Sequence, residues 1–321
     1  MMRHVRSLEE VNLSQPSVVT IGVFDGVHRG HQHLIRHLLD HARAAGRVAV
    51  VLTFYPYPEM VIRGFQPGYY LTLPDEKARL LGELGVDLVV THPFNEEVRQ
   101  IRAADFVRRL LNHLKMQSLW VGPDFALGYK REGDVAFLRE QGRLHGFEVR
   151  VVDMMEADGE RVSSSRVREA LRRGDVAEAA RLLGRPHRVP GRVVEGARRG
   201  HTIGIPTANL SFPREQAIPA RGVYAGWALV DGQRVPAVIN VGLRPTFDGS
   251  QTAIIVEAHL LDFSGDLYGR EMALDFVARL RDEQKFNSVE ELVAQVQEDI
   301  RRGRVLLGLA APEPDQPSAA E

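Results

Sequence analysis

The glycine-rich segment at residues 22–31 constrains the fold of this chain more than any other stretch. It reads Gly-Val-Phe-Asp-Gly-Val-His-Arg-Gly-His and joins an apolar run at 17–24 to a helical pattern. At such strand-to-helix junctions in α/β proteins, backbone N–H groups and the positive end of the helix dipole attract anions beyond the sheet edge. The segment therefore predicts a phosphate site on a sheet covered by helices.

Two histidines of this segment, His28 and His31, are candidate phosphate ligands. A helix that starts near Gly30 puts His31 in its first turn and His28 in the loop before it, within reach of one polyphosphate. Gly26 and Gly30 allow a tight turn and a close approach to a ligand. On their own, these histidines are equally compatible with ordinary surface positions.

The residues that follow have the pattern of an amphipathic helix whose apolar face comprises Leu34, Ile35, Leu38, Leu39 and Ala42. His33 and His37 on this helix have the i, i+4 spacing of a metal pair. Neither a cysteine nor an HExxH pattern accompanies them, so exposed helix histidines are the favoured interpretation over a zinc site.

The composition limits the partners of the chain. Its 321 residues are enough for two domains, and 44% of them are hydrophobic. The 41 basic and 42 acidic residues give a net charge of −1, which provides no general attraction for nucleic acid or an anionic membrane. We therefore expect small-molecule partners, no nucleic acid and no membrane, and the oligomeric state is not predicted.

Cysteine does not occur in the sequence, which excludes disulfides, thiolate catalysis and cysteine-ligated metals. The first ten residues are charged and contain no apolar leader, and no run approaches the roughly 18 apolar residues of a membrane helix. These features predict a soluble, unprocessed protein of the reducing cytoplasm.

Residues 1–185 are predicted to form an α/β domain. Short β-rich runs alternate there with helical patterns, at 17–24, 47–54, 87–91, 118–122 and 147–152. Such alternation favours a Rossmann-like parallel sheet, whose ligands bind beyond the carboxyl ends of the strands.

Residues 186–310 have a different pattern and are predicted to form a second domain. Glycine-punctuated β runs at 189–195, 222–230, 235–241, 253–260 and 272–280 favour an antiparallel barrel or sandwich. A helix at 288–302 with Ser288 as its N-cap ends this domain, and the tail at 311–321 has the composition of a disordered segment.

Further candidate residues fall at the sheet edge of the first domain. Phe54, Pro56 and Pro58 form a stiff lip after the second strand, on which a planar ring can stack, and Asp124 and Phe125 follow the fourth strand.

Three serines and two arginines at 163–168 open a later helix. Ser164, Ser165 and Arg168 are groups that a triphosphate needs at a helix N-terminus, although a serine triplet is also an ordinary N-cap.

The second domain contains a candidate nucleotide site of its own. Gly196, Gly200 and Gly204 allow the backbone to wrap closely around phosphates. Thr207 and Asn209, two residues apart on an extended segment, can share one hard cation. The alternative is a glycine-rich turn that leads into a strand.

Glu257 is the candidate general base. Strand alternation in the run at 255–260 puts Glu257 and His259 on one face. A carboxylate there can accept a hydroxyl proton during phosphoryl transfer, although Glu257 can also be a plain polar strand position.

Together these motifs resemble the bacterial bifunctional riboflavin kinase/FMN adenylyltransferases, or FAD synthetases, whose first domain belongs to the HxGH nucleotidyltransferase superfamily. The resemblance depends on the segment at 22–32, the Ser-Ser-Ser-x-x-Arg segment and Pro-Thr-Ala-Asn at 206–209, and it covers roughly residues 15–303. It implies a second domain that phosphorylates riboflavin with ATP, and a first domain that adenylylates FMN with ATP and releases pyrophosphate.

For the first domain, the resemblance implies that the HxGH histidines hold the ATP polyphosphate during adenylyl transfer. The candidate ATP contacts around them are Gly22, Phe24, Asp25, Gly26, Ser164, Ser165 and Arg168, and the candidate flavin contacts are Phe54, Pro56, Pro58, Asp124 and Phe125. Because the FMN phosphate attacks the α-phosphorus directly, the protein has to align and neutralise charged groups.

For the second domain, the resemblance implies that Glu257 is the catalytic base and that Thr207 and Asn209 bind Mg-ATP, with Mg²⁺ as the cofactor. Arg281 is a candidate contact to flavin or phosphate. Two positions depart from the family pattern: Tyr57 stands where a histidine is usual, and Leu127 stands where an aromatic residue is usual.

Two alternatives stay open. A different HxGH nucleotidyltransferase, acting on pantetheine phosphate or a CTP-linked head group, leaves Pro-Thr-Ala-Asn without a use. A flavin- or nucleotide-binding regulator is expected to lack Glu257 or a phosphate histidine, and this sequence has both.

Overall fold

The computed structural model describes residues 2–153, 155–196, 205–245 and 252–309. The chain forms two compact units, Met1–Ser164 and Ser165–Glu321.

A parallel sheet forms the centre of the first unit. Its described strands run in the order β1-β4-β3-β2-β5-β6, and each neighbouring pair is parallel. The strands are β1 (Arg3–Val5), β2 (Ser17–Ile21), β3 (Val48–Tyr55), β4 (Leu88–Pro93), β5 (Met116–Val121) and β6 (Glu148–Val151). Every residue of β2 is buried, as expected for a central strand that is covered on both faces.

Helices cover both faces of this sheet. The α-helices of this unit are α1 (Arg29–Ala44), α2 (Pro58–Arg63), α3 (Pro74–Leu84), α4 (Glu96–Arg99), α5 (Ala103–Leu114) and α6 (Val135–His145). Val18 of β2 packs with Ile35 of α1 and Leu81 of α3, while Val19 packs with Leu110 of α5. Because successive strand residues point to opposite faces, the two cores lie on opposite sides of the sheet. The predicted Rossmann-like α/β fold is confirmed.

A closed antiparallel barrel forms the centre of the second unit. Its described strands follow the order β10-β13-β12-β11-β14-β9. They are β9 (His187–Val194), β10 (Ala208–Ser211), β11 (Gly222–Val230), β12 (Gln233–Pro245), β13 (Thr252–Leu260) and β14 (Glu271–Arg281). Of the two architectures that the strand pattern left open, the barrel is the one formed.

Short elements connect and complete the units. A small antiparallel pair, β7 (Glu156–Ala157) and β8 (Glu160–Arg161), follows β6. The remaining described helices are α7 (Ser164–Arg172), α8 (Val176–Leu183) and α9 (Val289–Leu306). The predicted N-cap of α9 is confirmed, because Ser288 Oγ accepts a hydrogen bond from Glu291 N at 3.2 Å.

Four of the described strands were not predicted from the sequence: the two-residue strands β7 and β8, and the short strands β1 and β10. β1 is three residues long and carries Arg3 and His4, and β10 is four residues long, so neither has a recognisable apolar run. The compact units divide after Ser164, whereas the sequence-based boundary after residue 185 assigns α7 and α8 to the first domain; that boundary stays a prediction. The tail at 311–321 lies outside the described residues.

Candidate active sites

The loop of residues 22–28 joins β2 to α1 in an uncommon backbone conformation. Phe24, Gly26 and Val27 have positive φ angles of 49°, 79° and 43°. Positive φ is unfavourable for phenylalanine and especially for a β-branched valine, so tertiary contacts must hold this loop in place. Gly22 leaves room for the Phe24 ring, because a Cβ at Gly22 would lie 3.1 Å from two ring atoms.

His28 and His31 lie together at the N-terminus of α1. His28 is the N-cap residue, and its Nδ1 accepts a hydrogen bond from the His31 backbone N–H at 3.3 Å. The two rings stack with their centroids 3.5 Å apart and their planes 18° from parallel. A neutral ring that accepts at Nδ1 carries its proton on Nε2, which is then a donor. The structure therefore brings the two HxGH histidines into direct contact.

The surroundings of His31 favour its neutral form. Burial lowers the pKa of His31 well below the usual 6.5, and repulsion from His28, Lys77 and Arg161 adds to this effect. Among the described residues, the buried Nδ1 atom of His31 has no hydrogen-bond partner. A ligand that supplies a partner for this atom is favoured, because a buried polar atom without one costs free energy.

The Asp25 carboxylate holds the loop through its side chain. It is 1% exposed, and its Oδ1 accepts hydrogen bonds from the Tyr57 hydroxyl at 2.8 Å, Leu71 N at 3.0 Å and Thr72 N at 3.1 Å. The Thr72 hydroxyl in turn accepts from Gly26 N at 3.0 Å. Tyr57, which departs from the family pattern, thus has a structural partner, whereas an ATP contact by Asp25 stays a prediction.

Lys77 of α3 is a candidate that sequence reasoning missed. Its Nζ donates hydrogen bonds to the Val23 carbonyl at 2.7 Å and to Thr53 Oγ1 at 3.0 Å. Burial lowers the pKa of Lys77 to about 7, although attraction to Asp25 opposes the shift. A lysine in an amphipathic helix normally faces solvent, so the helical pattern alone carried no signal for this position.

The lip after β3 is partly built into the core. The Phe54 ring packs against the rings of Phe94 and Phe106, with centroid distances of 5.6 and 6.4 Å. Pro56 is exposed and follows a cis peptide bond, and Pro58 is the first residue of α2. Flavin binding by Phe54, Pro56 and Pro58 stays a prediction.

The segment after β5 supplies the other candidate flavin contacts. Asp124 is exposed, and its carboxylate forms an ion pair with Arg161 at 2.9 Å. Phe125 is partly buried and packs against the same core as Leu127, which is 8% exposed. Leu127 therefore fills core volume at the position where the family usually has an aromatic ring, and the flavin roles of Asp124 and Phe125 remain untested.

The serine triplet opens α7 as predicted. Ser164 Oγ donates a hydrogen bond to the backbone carbonyl of Asp25 at 2.9 Å, which ties the serine motif to the 22–28 loop. Ser165 and Arg168 follow on α7 and belong to the second compact unit. Their contact with a triphosphate stays a prediction.

Three polar residues lie side by side on neighbouring strands of the barrel. Asn209 of β10 is in register with Glu257 of β13, which on its other side is in register with Asn240 of β12. Residues directly opposite each other in a sheet share a face, and the flanking Val256 and Ala258 are buried. The three side chains therefore share the outer face of the barrel. Sequence reasoning assigned no role to Asn240.

Glu257 has a cationic neighbour on the same surface. Arg244 Nη2 lies 3.8 Å from Glu257 Oε1, and the Glu257 side chain is 23% exposed. The carboxylate therefore remains accessible to a bound hydroxyl, as a general base must be.

The Thr207–Asn209 segment is held next to Glu257. His259, on the same face as Glu257, forms a hydrogen bond through Nδ1 to the Pro206 carbonyl at 2.8 Å. The backbone of Gly196 approaches so closely that a Cβ there would lie 2.1 Å from Asn209 Nδ2. Only glycine therefore fits at 196 without moving the Asn209 side chain. Gly200 and Gly204 lie outside the described residues.

Arg281 forms an ion pair with the terminal helix. Its guanidinium forms hydrogen bonds to both carboxylate oxygens of Asp299 on α9, at 2.8 to 3.0 Å, and to the Asp282 carbonyl at 2.9 Å. Asp299 is 1% exposed. This ion pair attaches β14 to α9, and a contact of Arg281 to flavin or phosphate stays a prediction.

Comparison with known proteins relates both sites to one family. The family model for FAD synthetase matches residues 11–166, and the model for riboflavin kinase matches residues 183–307. A bifunctional riboflavin kinase/FMN adenylyltransferase of Pseudomonas fluorescens is 43% identical over 295 residues, covering 92% of this chain and 94% of that protein. The chain belongs to this family. The bifunctional riboflavin kinase/FMN adenylyltransferase of Escherichia coli K12 is 39% identical over 317 residues, covering 97% of this chain and 100% of that protein.

A solved structure has the same fold along its length. This crystal structure, described as a macrolide-efflux protein from Streptococcus pneumoniae, matches with a TM-score of 0.86 and 31% identity, covering 94% of this chain and 98% of that chain. Within the ranges that the structure describes here, no helix is long and apolar enough to cross a membrane.

Proposed function

We infer that the chain is a bifunctional enzyme, which phosphorylates riboflavin to FMN and adenylylates FMN to FAD, with ATP as the second substrate of each reaction. The observation that carries this conclusion is the presence of two polar sites in separate compact units. The His28–His31 pair lies in the stretch that matches FAD synthetase, and the Asn209–Glu257–Asn240 row lies in the stretch that matches riboflavin kinase.

In the adenylyltransferase half, we assign ATP binding to the N-terminus of α1. The phosphate oxygen of FMN attacks the α-phosphorus, a P–O bond to FMN forms, and the bond to pyrophosphate breaks. Stacked imidazoles, backbone N–H groups and the helix dipole stabilise the negative charge that builds up on the transferring group. The buried Nδ1 of His31 supports this assignment, because an incoming ligand group can become its missing partner.

In the kinase half, we assign Glu257 as the general base. Its carboxylate accepts the proton of the riboflavin 5′-hydroxyl as that oxygen attacks the γ-phosphorus, and ADP leaves. The neighbouring Arg244 is placed to stabilise charge on the transferring phosphoryl group. Asn209 and Asn240 flank the base on both sides and supply neutral hydrogen-bonding groups.

The residues beside Glu257 fit a magnesium ion. The described residues contain no group of three or more His, Cys, Asp and Glu side chains that could hold a metal. The donors expected here are the Thr207 hydroxyl, the Asn209 carboxamide oxygen and ATP phosphates, which are hard oxygen ligands of the kind that Mg²⁺ prefers. Gly196 keeps the space beside Asn209 clear of a side chain. When bound, the ion neutralises phosphate charge, while Thr207 and Asn209 orient it.

The cellular location is inferred from the substrates and the amino-acid composition. We propose a cytoplasmic location, where ATP is abundant and a chain that has no cysteine loses nothing in a reducing environment.

Two substitutions test whether each reaction takes place at its own site. Glu257→Ala should abolish FMN formation from riboflavin while added FMN is still converted to FAD, because only the base of the kinase site is removed. His31→Ala should have the opposite effect. Both are measured by chromatography of flavin products with ATP and Mg²⁺.

Two surface variants serve as matched controls. Glu271→Ala removes an exposed carboxylate from β14, and His37→Ala removes an exposed histidine from α1, so both should leave both reactions unchanged. Loss of both reactions in a folded Glu257→Ala or His31→Ala protein would contradict the two-site assignment.

A further inference from the structure

Lys77 is a buried cation that the proposed chemistry does not use. The residue is 1% exposed and is among the largest fully buried side chains of the described structure. Removing an ammonium group from water is costly unless it is paired and hydrogen-bonded. The position of Lys77 therefore requires an explanation from its contacts.

The contacts of Lys77 converge on the start of the 22–28 loop. Its Nζ donates to the Val23 carbonyl at 2.7 Å and to Thr53 Oγ1 at 3.0 Å, and the Thr53 hydroxyl donates to the same Val23 carbonyl at 3.0 Å. Val23 follows β2, and Thr53 lies near the end of the neighbouring strand β3. Lys77 thus connects α3 to the carboxyl edge of the sheet at the point where the loop begins.

The charged and aromatic groups around the ammonium belong to the same loop support. Lys77 Nζ lies 4.5 Å from the centre of the Tyr57 ring, whose hydroxyl donates to Asp25. The Asp25 carboxylate attracts the Lys77 ammonium, and the ammonium disfavours the protonated forms of His31 and His4. Each of these groups lies within the first compact unit, beside the loop that carries Phe24 and Val27 at positive φ.

We propose that Lys77 is a positioning residue for adenylyl transfer: by fixing the Val23 carbonyl, it holds the 22–28 loop and the His28–His31 pair in the geometry that receives the reacting phosphate. This proposal rests on the proposed adenylyltransferase function of the first unit. Lys77 itself does not touch the substrate and acts through Val23, Thr53 and Asp25.

The test is Lys77→Met, which keeps the volume of the side chain and removes its donors. The turnover number for FMN to FAD should fall by about tenfold or more, because a small displacement of aligned groups is costly in rate. The KM for FMN should change little, since Lys77 does not contact the flavin. Lys77→Met leaves the buried Asp25 without its cationic neighbour, so the midpoint of thermal unfolding is measured as well, and turnover is compared at temperatures where the variant is folded.

The same chain contains its own reference reaction. Formation of FMN from riboflavin, in the other unit, should stay at the wild-type rate in Lys77→Met. Arg79→Met removes a cation from the exposed face of α3, where Arg79 pairs with Glu76 and Glu83, and it should leave both reactions unchanged. If the wild-type protein failed to convert FMN to FAD, the proposed function would be wrong; that result is distinct from any result with Lys77→Met.

A second variant keeps the proposal testable if Lys77→Met unfolds the first unit. Thr53→Val has nearly the same volume and removes one acceptor of Lys77, so it should also lower turnover for FMN to FAD. In the double variant, the loss of turnover should be smaller than the product of the two single losses, because Lys77 and Thr53 both act through the Val23 carbonyl. Turnover within about twofold of wild type in folded Lys77→Met, or in Thr53→Val, overturns the proposal.

Discussion

Three ionisable groups of the first unit, Asp25, His31 and Lys77, interact around the 22–28 loop. Asp25 and Lys77 attract each other, and the cationic form of His31 is disfavoured by burial and by Lys77. Burial therefore favours the neutral imidazole of His31, and an anion bound beside it would favour the protonated form.

ATP binding should be linked to proton uptake by His31. In the free protein the pKa of His31 is lowered by burial, and the negative charge of a polyphosphate raises it again. Since the bound state then holds more protons than the free state, affinity for ATP should increase as the pH falls from 7 toward 6. Calorimetric titrations in buffers of different ionisation enthalpy measure this uptake. It should be smaller in His31→Asn, and an equal uptake in both proteins would contradict the assignment.

Individual helices and strands differ in how well the sequence predicts them. Strands such as β11 were predicted with the bounds that they have, because β-branched and aromatic runs end at clear turn signals. The helix α1 was predicted because its apolar residues recur with a helical period and are buried. The short strands β1, β7, β8 and β10 were not predicted, since two to four residues contain too little pattern to identify.

Side chains whose role depends on distant contacts were also missed. Lys77 bonds to groups 24 and 54 residues away in the chain, and Asp299 bonds to a guanidinium 18 residues away. A helical pattern assigns both positions to the polar face, because charged residues are normally solvated. The two histidines and Glu257 could be proposed from the sequence because their motifs are local, whereas the supporting groups are defined only by the fold.

The ion pair between β14 and α9 should be important for the stability of the barrel unit. Asp299→Asn leaves the partly buried Arg281 guanidinium without its carboxylate, which should lower the free energy of unfolding by about 3 kcal/mol. Urea unfolding followed through Trp227 of β11 reports on this unit. Glu298→Gln, on the exposed face of the same helix, should change it little.

Activity measurements on Arg281 separate two interpretations. If the ion pair is structural, Arg281→Met lowers stability and leaves kinase turnover unchanged at temperatures where the unit is folded. Normal stability with a strong loss of kinase turnover would instead favour the predicted contact of Arg281 to flavin or phosphate.

At the scale of the whole molecule, we assign the His28–His31 pair and Glu257 to different compact units. In the proposed function, the FMN that the kinase reaction forms is the substrate of the adenylyltransferase reaction. This organisation lets a defect in one half leave the other half intact, so that two damaged chains can complement each other.

An equimolar mixture of Glu257→Ala and His31→Ala proteins should convert riboflavin to FAD. The His31→Ala chain produces FMN, which dissociates and is adenylylated by the Glu257→Ala chain. Chromatography of the products over time should show FMN accumulating before FAD. Formation of FMN alone, with active Glu257→Ala protein present, would indicate that FMN is not released between the two steps.

The two sheets differ in how they end, which has a consequence for the behaviour of the protein at high concentration. The barrel closes on itself, whereas the sheet of the first unit has outer strands at β1 and β6. On β6, the exposed Glu148 and Arg150 form an ion pair at 2.7 Å. Charged residues on an outer strand discourage the backbones of two copies from joining into a continuous ribbon. Replacing both with valine or threonine would remove that protection and favour self-association along β6.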